Sequence, residues 1–136
     1  RLRGSKDDSR RPGASSLANF VEEQVFFISN APHGWLFPRA CCVVHHGGVG
    51  TVHAALRAGV PAVITPICAD QFTHAGILSK LGVGVGMEAL KSVKPWALAQ
   101  AIRVATTEAV TQAAAVVGIQ VQREESRSVQ QASDVI

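Results

Sequence analysis

Short apolar runs alternate with amphipathic stretches along this chain, and the two periods predict different elements. "VFFIS", residues 25–29, is β-branched and aromatic and predicts a buried strand. "CCVVH" at 41–45 predicts a second buried strand, "PAVITP" at 61–66 a third bracketed by prolines, and "VGVGM" at 83–87 a short fourth. Between the first two, "NAPHGWLFPRA" (30–40) holds two prolines and a glycine, which suits a loop with one short helical turn. "TVHAALRA" (51–58) predicts a helix starting near Gly50 or Thr51 and stopping at Gly59. "ADQFTHAGILSKL" (69–81) predicts another, with Asp70 near its N-terminus and Gly82 past its end. Pro95 suits the first turn of a helix, and Leu98, Ala101, Ile102 and Ala105 recur at i, i+3, i+4 and i+7. A further helix is expected over 108–123, with one more over 128–136. Residues 1–19 have few large apolar side chains and no period. They read as a basic, disordered or extended arm ahead of one domain over 20–136.

Strands alternating with helices imply βαβ units, hence an α/β fold with a parallel sheet and flanking helices. Such sheets bind ligands outside the carboxyl ends of their strands. Segments 30–36, 45–51 and 66–71 lie at those ends and should converge on one rim.

Composition narrows the class. The 136 residues are 47% hydrophobic and 17% charged, with 12 glycines, as in a globular α/β domain. The net charge of +3 owes much to Arg1, Arg3, Lys6, Arg10 and Arg11, opposed locally only by Asp7 and Asp8. No basic stripe interleaved with aromatics follows, so a nucleic-acid partner is not expected. Three cysteines, two of them adjacent, do not make a disulfide framework and suit a reducing compartment. No apolar run reaches membrane-spanning length, and residues 1–24 do not resemble a signal peptide.

The rim segments carry the candidate chemistry. In "HHGGVGT" (45–51), Gly47, Gly48 and Gly50 let the backbone approach a ligand, and the following helix points its free N–H groups at the loop. That combination favours an anion. His45 or His46 could add a hydrogen bond to a phosphate oxygen, and Thr51 could cap the helix or donate to the phosphate. The motif is neither a Walker loop nor the dinucleotide fingerprint. A tight strand-to-helix turn with buried histidines explains the same residues. In "PICADQ" (66–71), Asp70 accepts and Gln71 both donates and accepts, the mixture that vicinal hydroxyls require. A plain helix cap by Asp70 is the simpler alternative. Trp35, Leu36 and Phe37 could wall a base pocket or be ordinary core. A metal site is disfavoured: adjacent Cys41 and Cys42 face opposite sides of a strand, and no CxxC or HxxxH spacing closes a tetrahedron. Both are expected to be small buried core residues. No GxSxG elbow is present. His53 and His74 fall on predicted helices and read as structural or exposed.

Taken in order, "PHGWLF", "VVHHGGVGT", "LRAGVP", "P...DQ" and "LGVGV" resemble the C-terminal, donor-binding domain of family 1 UDP-sugar glycosyltransferases. The likeness is greatest to the sterol 3-beta-glucosyltransferase branch and to related bacterial antibiotic glycosyltransferases, and covers roughly 25–125. The resemblance implies a Rossmann-like parallel sheet with flanking helices, the C-terminal half of a GT-B fold. It implies that His45, His46, Gly47, Gly48, Gly50 and Thr51 surround the donor diphosphate, and that Asp70 and Gln71 hold the sugar. Asn30, Pro32 and His33 would form the uracil and ribose loop. Asn30 and His53 depart from the Trp and Glu of plant small-molecule enzymes at these places.

The implied reaction moves a hexose, glucose by preference, from a UDP-sugar to a hydroxyl of a sterol or other lipophilic acceptor. No metal or cofactor is implied beyond the donor substrate. The general base is expected in an N-terminal acceptor domain that this sequence does not resemble, so no catalytic residue is assigned here. The first strand and glycine–tryptophan loop of the donor domain are also unmatched. The chain therefore reads as a fragment, inactive alone. The full enzyme is expected in the cytoplasm, with peripheral membrane association left open. A non-catalytic nucleotide-binding remnant or regulatory subunit, paired with a separate acceptor domain, is the alternative; an unrelated structural α/β domain is another.

Overall fold

The computed structural model describes residues 14–133, and the chain divides into two compact units, Arg1–Ala31 and Pro32–Ile136. In the first unit, helix α1 spans Ala14–Gln24. It begins inside the stretch expected to be an unstructured arm; residues 1–13 of that arm lie outside the described residues. Leu17, Phe20 and Val21 supply the i, i+3, i+4 spacing that a helix needs. The strand expected at 25–29 does not form: Phe26 is 88% exposed and Phe27 79%. Strand propensity records how a side chain fits a half-buried pleated surface, and this segment joins no sheet.

The second unit is built on three parallel strands in the order β1-β2-β3: β1 (Val43–His45), β2 (Ala62–Ile64) and β3 (Gly84–Gly86). Val43 aligns with Ala62 and Ala62 with Gly84, so the carboxyl ends of β1 and β2 finish side by side. Central β2 is buried on both faces, as its unbroken apolar run predicts. Its prolines flank the ladder and still serve it: the Pro61 carbonyl accepts the Val43 N–H, and the Pro66 carbonyl accepts that of Leu90.

The helices are α2 (His33–Leu36), α3 (Val49–Ala58), α4 (Gln71–Lys80), α5 (Pro95–Ala105) and α6 (Glu108–Ser133). Alternation along β2 sorts them. Ala62 and Ile64 face Ala55 of α3, Ala75 and Leu78 of α4, and Ala114 of α6. Val63 faces Ala101 and Ala105 of α5 on the other side. The helix expected over 108–123 and the described part of that expected over 128–136 are one, because nothing between them breaks a helix; residues 134–136 lie outside the described residues. Glu125 ties α6 to α3 through Arg57 (2.7 Å) and His53 (3.1 Å). Gly59 ends α3 in the left-handed conformation, φ 66°, as expected.

Candidate functional site

His45 is the last residue of β1, locked into the sheet where its carbonyl accepts the Thr65 N–H at 3.0 Å. The chain then turns at Gly47, which is buried with φ 95°. A Cβ there would lie 2.7 Å from Ile64 Cγ2, so only glycine fits the turn. The Gly47 N–H donates to His45 Nδ1 at 3.1 Å. An imidazole nitrogen that accepts carries no proton, so the neutral ring bears its hydrogen on Nε2. That Nε2 is buried and has no partner. Burial pushes the His45 pKa down to about 4, and the nearby His46 and His33 push the same way. The ring is therefore a neutral, unpaired N–H donor at physiological pH.

Helix α3 starts at Val49, earlier than Gly50 or Thr51. The Gly48 carbonyl accepts the N–H groups of both Thr51 and Val52 at 3.0 Å, which begins the helix there. Thr51 thus sits within the first turn and is not the cap. Gly48 is the N-cap and brings no side chain, so the first helical N–H groups are left for solvent or a ligand. His46 is exposed, and its ring lies beside Gly48, where a Cβ would come within 2.6 Å of Nε2. Gly50 has no heavy atom within 4 Å of where its Cβ would be.

The second loop follows β2. Asp70 precedes α4 with helical backbone angles, and its exposed carboxylate makes no capping bond. The capping alternative for Asp70 is thereby set aside: a cap needs extended backbone to turn its carboxylate onto the helix end. Gln71 reaches back instead. Its Oε1 accepts the N–H groups of Ile67 (2.8 Å) and Cys68 (3.1 Å), so its oxygen is spent on shaping the loop. Ala69 has φ 53°, a left-handed conformation that strains any residue with a Cβ. Replacing Ala69 with glycine is expected to stabilise the protein by about 0.5–1 kcal/mol, relief of strain less the greater freedom of unfolded glycine. A higher urea midpoint at unchanged slope would register it.

His74, one turn into α4, joins the two loops: its Nδ1 lies 2.8 Å from the Gly47 carbonyl. From its place on a predicted helix His74 is expected to be structural or exposed. Its only signal was position, three residues after Gln71 on the same helix face. Gln71 itself touches the other loop, its carbonyl 3.3 Å from where a Gly47 Cβ would stand.

The 30–40 segment divides. Asn30 belongs to the first unit, where it is exposed. Pro32 precedes α2, and the His33 ring stacks on Phe37 at 4.5 Å between centroids. Phe37 is core, as expected, but Trp35 is exposed beneath the Arg39 guanidinium, 4.6 Å from its ring. Cys41 is exposed and Cys42 half-buried, not the buried pair expected. Burial, with Cys41 beside it, pushes the Cys42 thiol pKa up. A strand only three residues long starts at Val43 and leaves Cys41 outside it. His53 lies apart from the rim, against Glu125.

A parallel sheet whose β1 ends in a histidine and a glycine turn onto a helix N-terminus is the Rossmann-like arrangement of the C-terminal half of GT-B glycosyltransferases. Residues 7–132 match the family described as Erythromycin biosynthesis protein CIII-like, C-terminal domain, and the chain belongs to that family. The match reaches well into the N-terminal arm, beyond the 25–125 covered by resemblance alone. The chain is 47% identical over 90 residues to a sterol 3-beta-glucosyltransferase of Saccharomyces cerevisiae, covering 66% of this chain and 7% of that protein. It is 40% identical over 105 residues to one of Komagataella phaffii, covering 76% and 8%. Among solved structures, glycosyltransferase VinC in complex with DTDP superposes with a TM-score of 0.67 at 26% identity, covering 80% of this chain and 28% of that one. SnogD from Streptomyces nogalater gives 0.56 at 30% identity, covering 70% and 24%. The chain therefore spans less than a tenth of these sterol relatives' length.

Proposed function

We propose that this chain is the donor-binding half of an enzyme that transfers a hexose, glucose by preference, from a UDP-sugar to a hydroxyl of a sterol or other lipophilic acceptor. One observation carries the reading: the buried, unpaired Nε2–H of His45 stands beside a glycine turn and an uncapped helix N-terminus. A neutral N–H donor and free backbone N–H groups suit phosphate oxygens. In this reading His45, His46, Gly47, Gly48, Gly50 and Thr51 surround the diphosphate. The Asp70 carboxylate takes sugar hydroxyls, with Gln71 contributing its amide N–H side because its oxygen holds the loop. Pro32 and His33 flank the uracil and ribose.

The chemistry follows from those positions. The acceptor oxygen forms a bond to the anomeric carbon, and the bond from that carbon to the diphosphate breaks. Charge grows on the leaving diphosphate, where the His45 Nε2–H and the α3 N-terminus would stabilise it. The hydroxyl proton passes to a base expected on a separate acceptor domain, so catalysis requires that domain. The complete enzyme would work in the cytoplasm at a membrane surface, where a sterol-like acceptor resides.

The test is a UDP titration of the folded chain followed by amide NMR. Gly47, Gly48, Gly50 and Thr51 are expected to shift together and saturably. Their silence in a folded protein would overturn the diphosphate assignment.

A further inference from the structure

We propose that His74 is the positioning residue of the diphosphate loop, holding the Gly47 peptide so that the next N–H groups face the donor; this rests on the donor-binding reading above. Both polar ends of Gly47 are held by a histidine. Its N–H donates to His45 Nδ1 at 3.1 Å, and its carbonyl accepts from His74 Nδ1 at 2.8 Å. A carbonyl can only accept, so neutral His74 carries its proton on Nδ1.

Peptide planarity makes this bond consequential. In a trans peptide the carbonyl and the following N–H point in opposite directions. Drawing the Gly47 carbonyl toward α4 therefore turns the Gly48 N–H away from α4, beside the free N–H groups that open α3. Glycine at φ 95° has no side chain to fix the peptide's rotation, so the fixing comes from outside. His74 is also part of the reason that His45 is the right donor. The Gly47 N–H selects the His45 tautomer, and His74 holds the peptide unit on the other side of that residue. Gln71, three residues earlier on α4, braces the Ile67–Cys68 backbone with the opposite polarity, its Oε1 accepting their N–H groups. One helix end thus sets the shape of both rim loops.

The test uses three variants and two readouts. His74→Leu fills the space without a donor, His74→Asn restores an N–H near the place of Nδ1, and His74→Asp has the shape of Asn but presents an acceptor to a carbonyl. The first readout is the ring 15N spectrum of His45 without nucleotide. The second is the affinity for UDP against that for uridine. His74→Leu and His74→Asp are expected to mix the His45 tautomers and weaken UDP about tenfold, the order of one charge-assisted hydrogen bond, with uridine unchanged. His74→Asn is expected to retain the wild-type tautomer and most of the affinity. If His74→Leu does not fold, the Asn and Asp pair decides. Unchanged tautomer and UDP affinity in Leu or Asp would overturn the proposal. A wild-type chain that ignores UDP would instead remove the donor reading, while the 15N spectra still decide whether His74 orients the loop.

Discussion

Replacing His45 with alanine is expected to weaken UDP binding by about ten- to a hundredfold, whereas His53→Ala should change it by no more than about twofold. A hydrogen bond to a charged phosphate is worth about 1.5–3 kcal/mol, which sets the first range. His45 has the attributes that such a bond needs: a fixed tautomer, a buried Nε2–H without a partner, and a position beside the helix N-terminus. Alanine also removes the acceptor for the Gly47 N–H, so the turn loses one of its two anchors. His53 is on the helix whose N-terminus is proposed to receive the phosphate, yet it pairs with Glu125 on α6. Its loss is therefore felt in the α3–α6 contact. Calorimetric titration of both variants separates the two cases; equal losses would mean that the phosphate does not sit at His45.

Strand β2 was legible because burial enforces its pattern: it is apolar at every position and sits between two layers of helices. Strand β1 was expected to be buried, but it lies at the edge of the sheet with Val44 46% exposed. The same physics explains the failure at 25–29. Those residues have strand composition, but composition records what a sheet would accept and does not supply the neighbouring strand. Helix bodies were legible and starts less so, since Gly48 begins α3 through its carbonyl, a group that every residue carries. At the rim, Gly47 and His45 were readable because a positive φ and a strand-end position restrict residue choice. The work of Gln71 and His74 was not. Their partners are backbone atoms, and the His74 bond spans 27 residues, so no local spacing marks it. Asp70 shows the converse: sequence favours a cap there, and backbone angles alone leave the carboxylate free.

Acidification should cost this domain stability through His45. Its pKa falls from the ordinary 6.5 to about 4 in the folded chain, chiefly because burial disfavours the charged ring. The unfolded chain therefore takes up a proton that the folded chain refuses between those two values. The stability contributed by neutral His45 is complete above pH 6.5, declines as the pH falls toward 4, and is gone below that. At about 1.4 kcal/mol per unit the full shift would amount to about 3.5 kcal/mol, and partial access of water to a half-buried ring brings this to about 2–3 kcal/mol. His45→Asn is the matched control: the amide does not titrate, and its oxygen can still accept the Gly47 N–H. Every other histidine is common to both proteins, so their contributions cancel in the difference. Urea unfolding of the pair from pH 7.5 to 3.5 should show the wild type losing about 2–3 kcal/mol relative to His45→Asn, with most of the change between pH 6.5 and 4. A flat difference would mean that the ring protonates freely in the folded state. The burial that keeps the Nε2–H donor neutral below pH 6.5 would then not be at work.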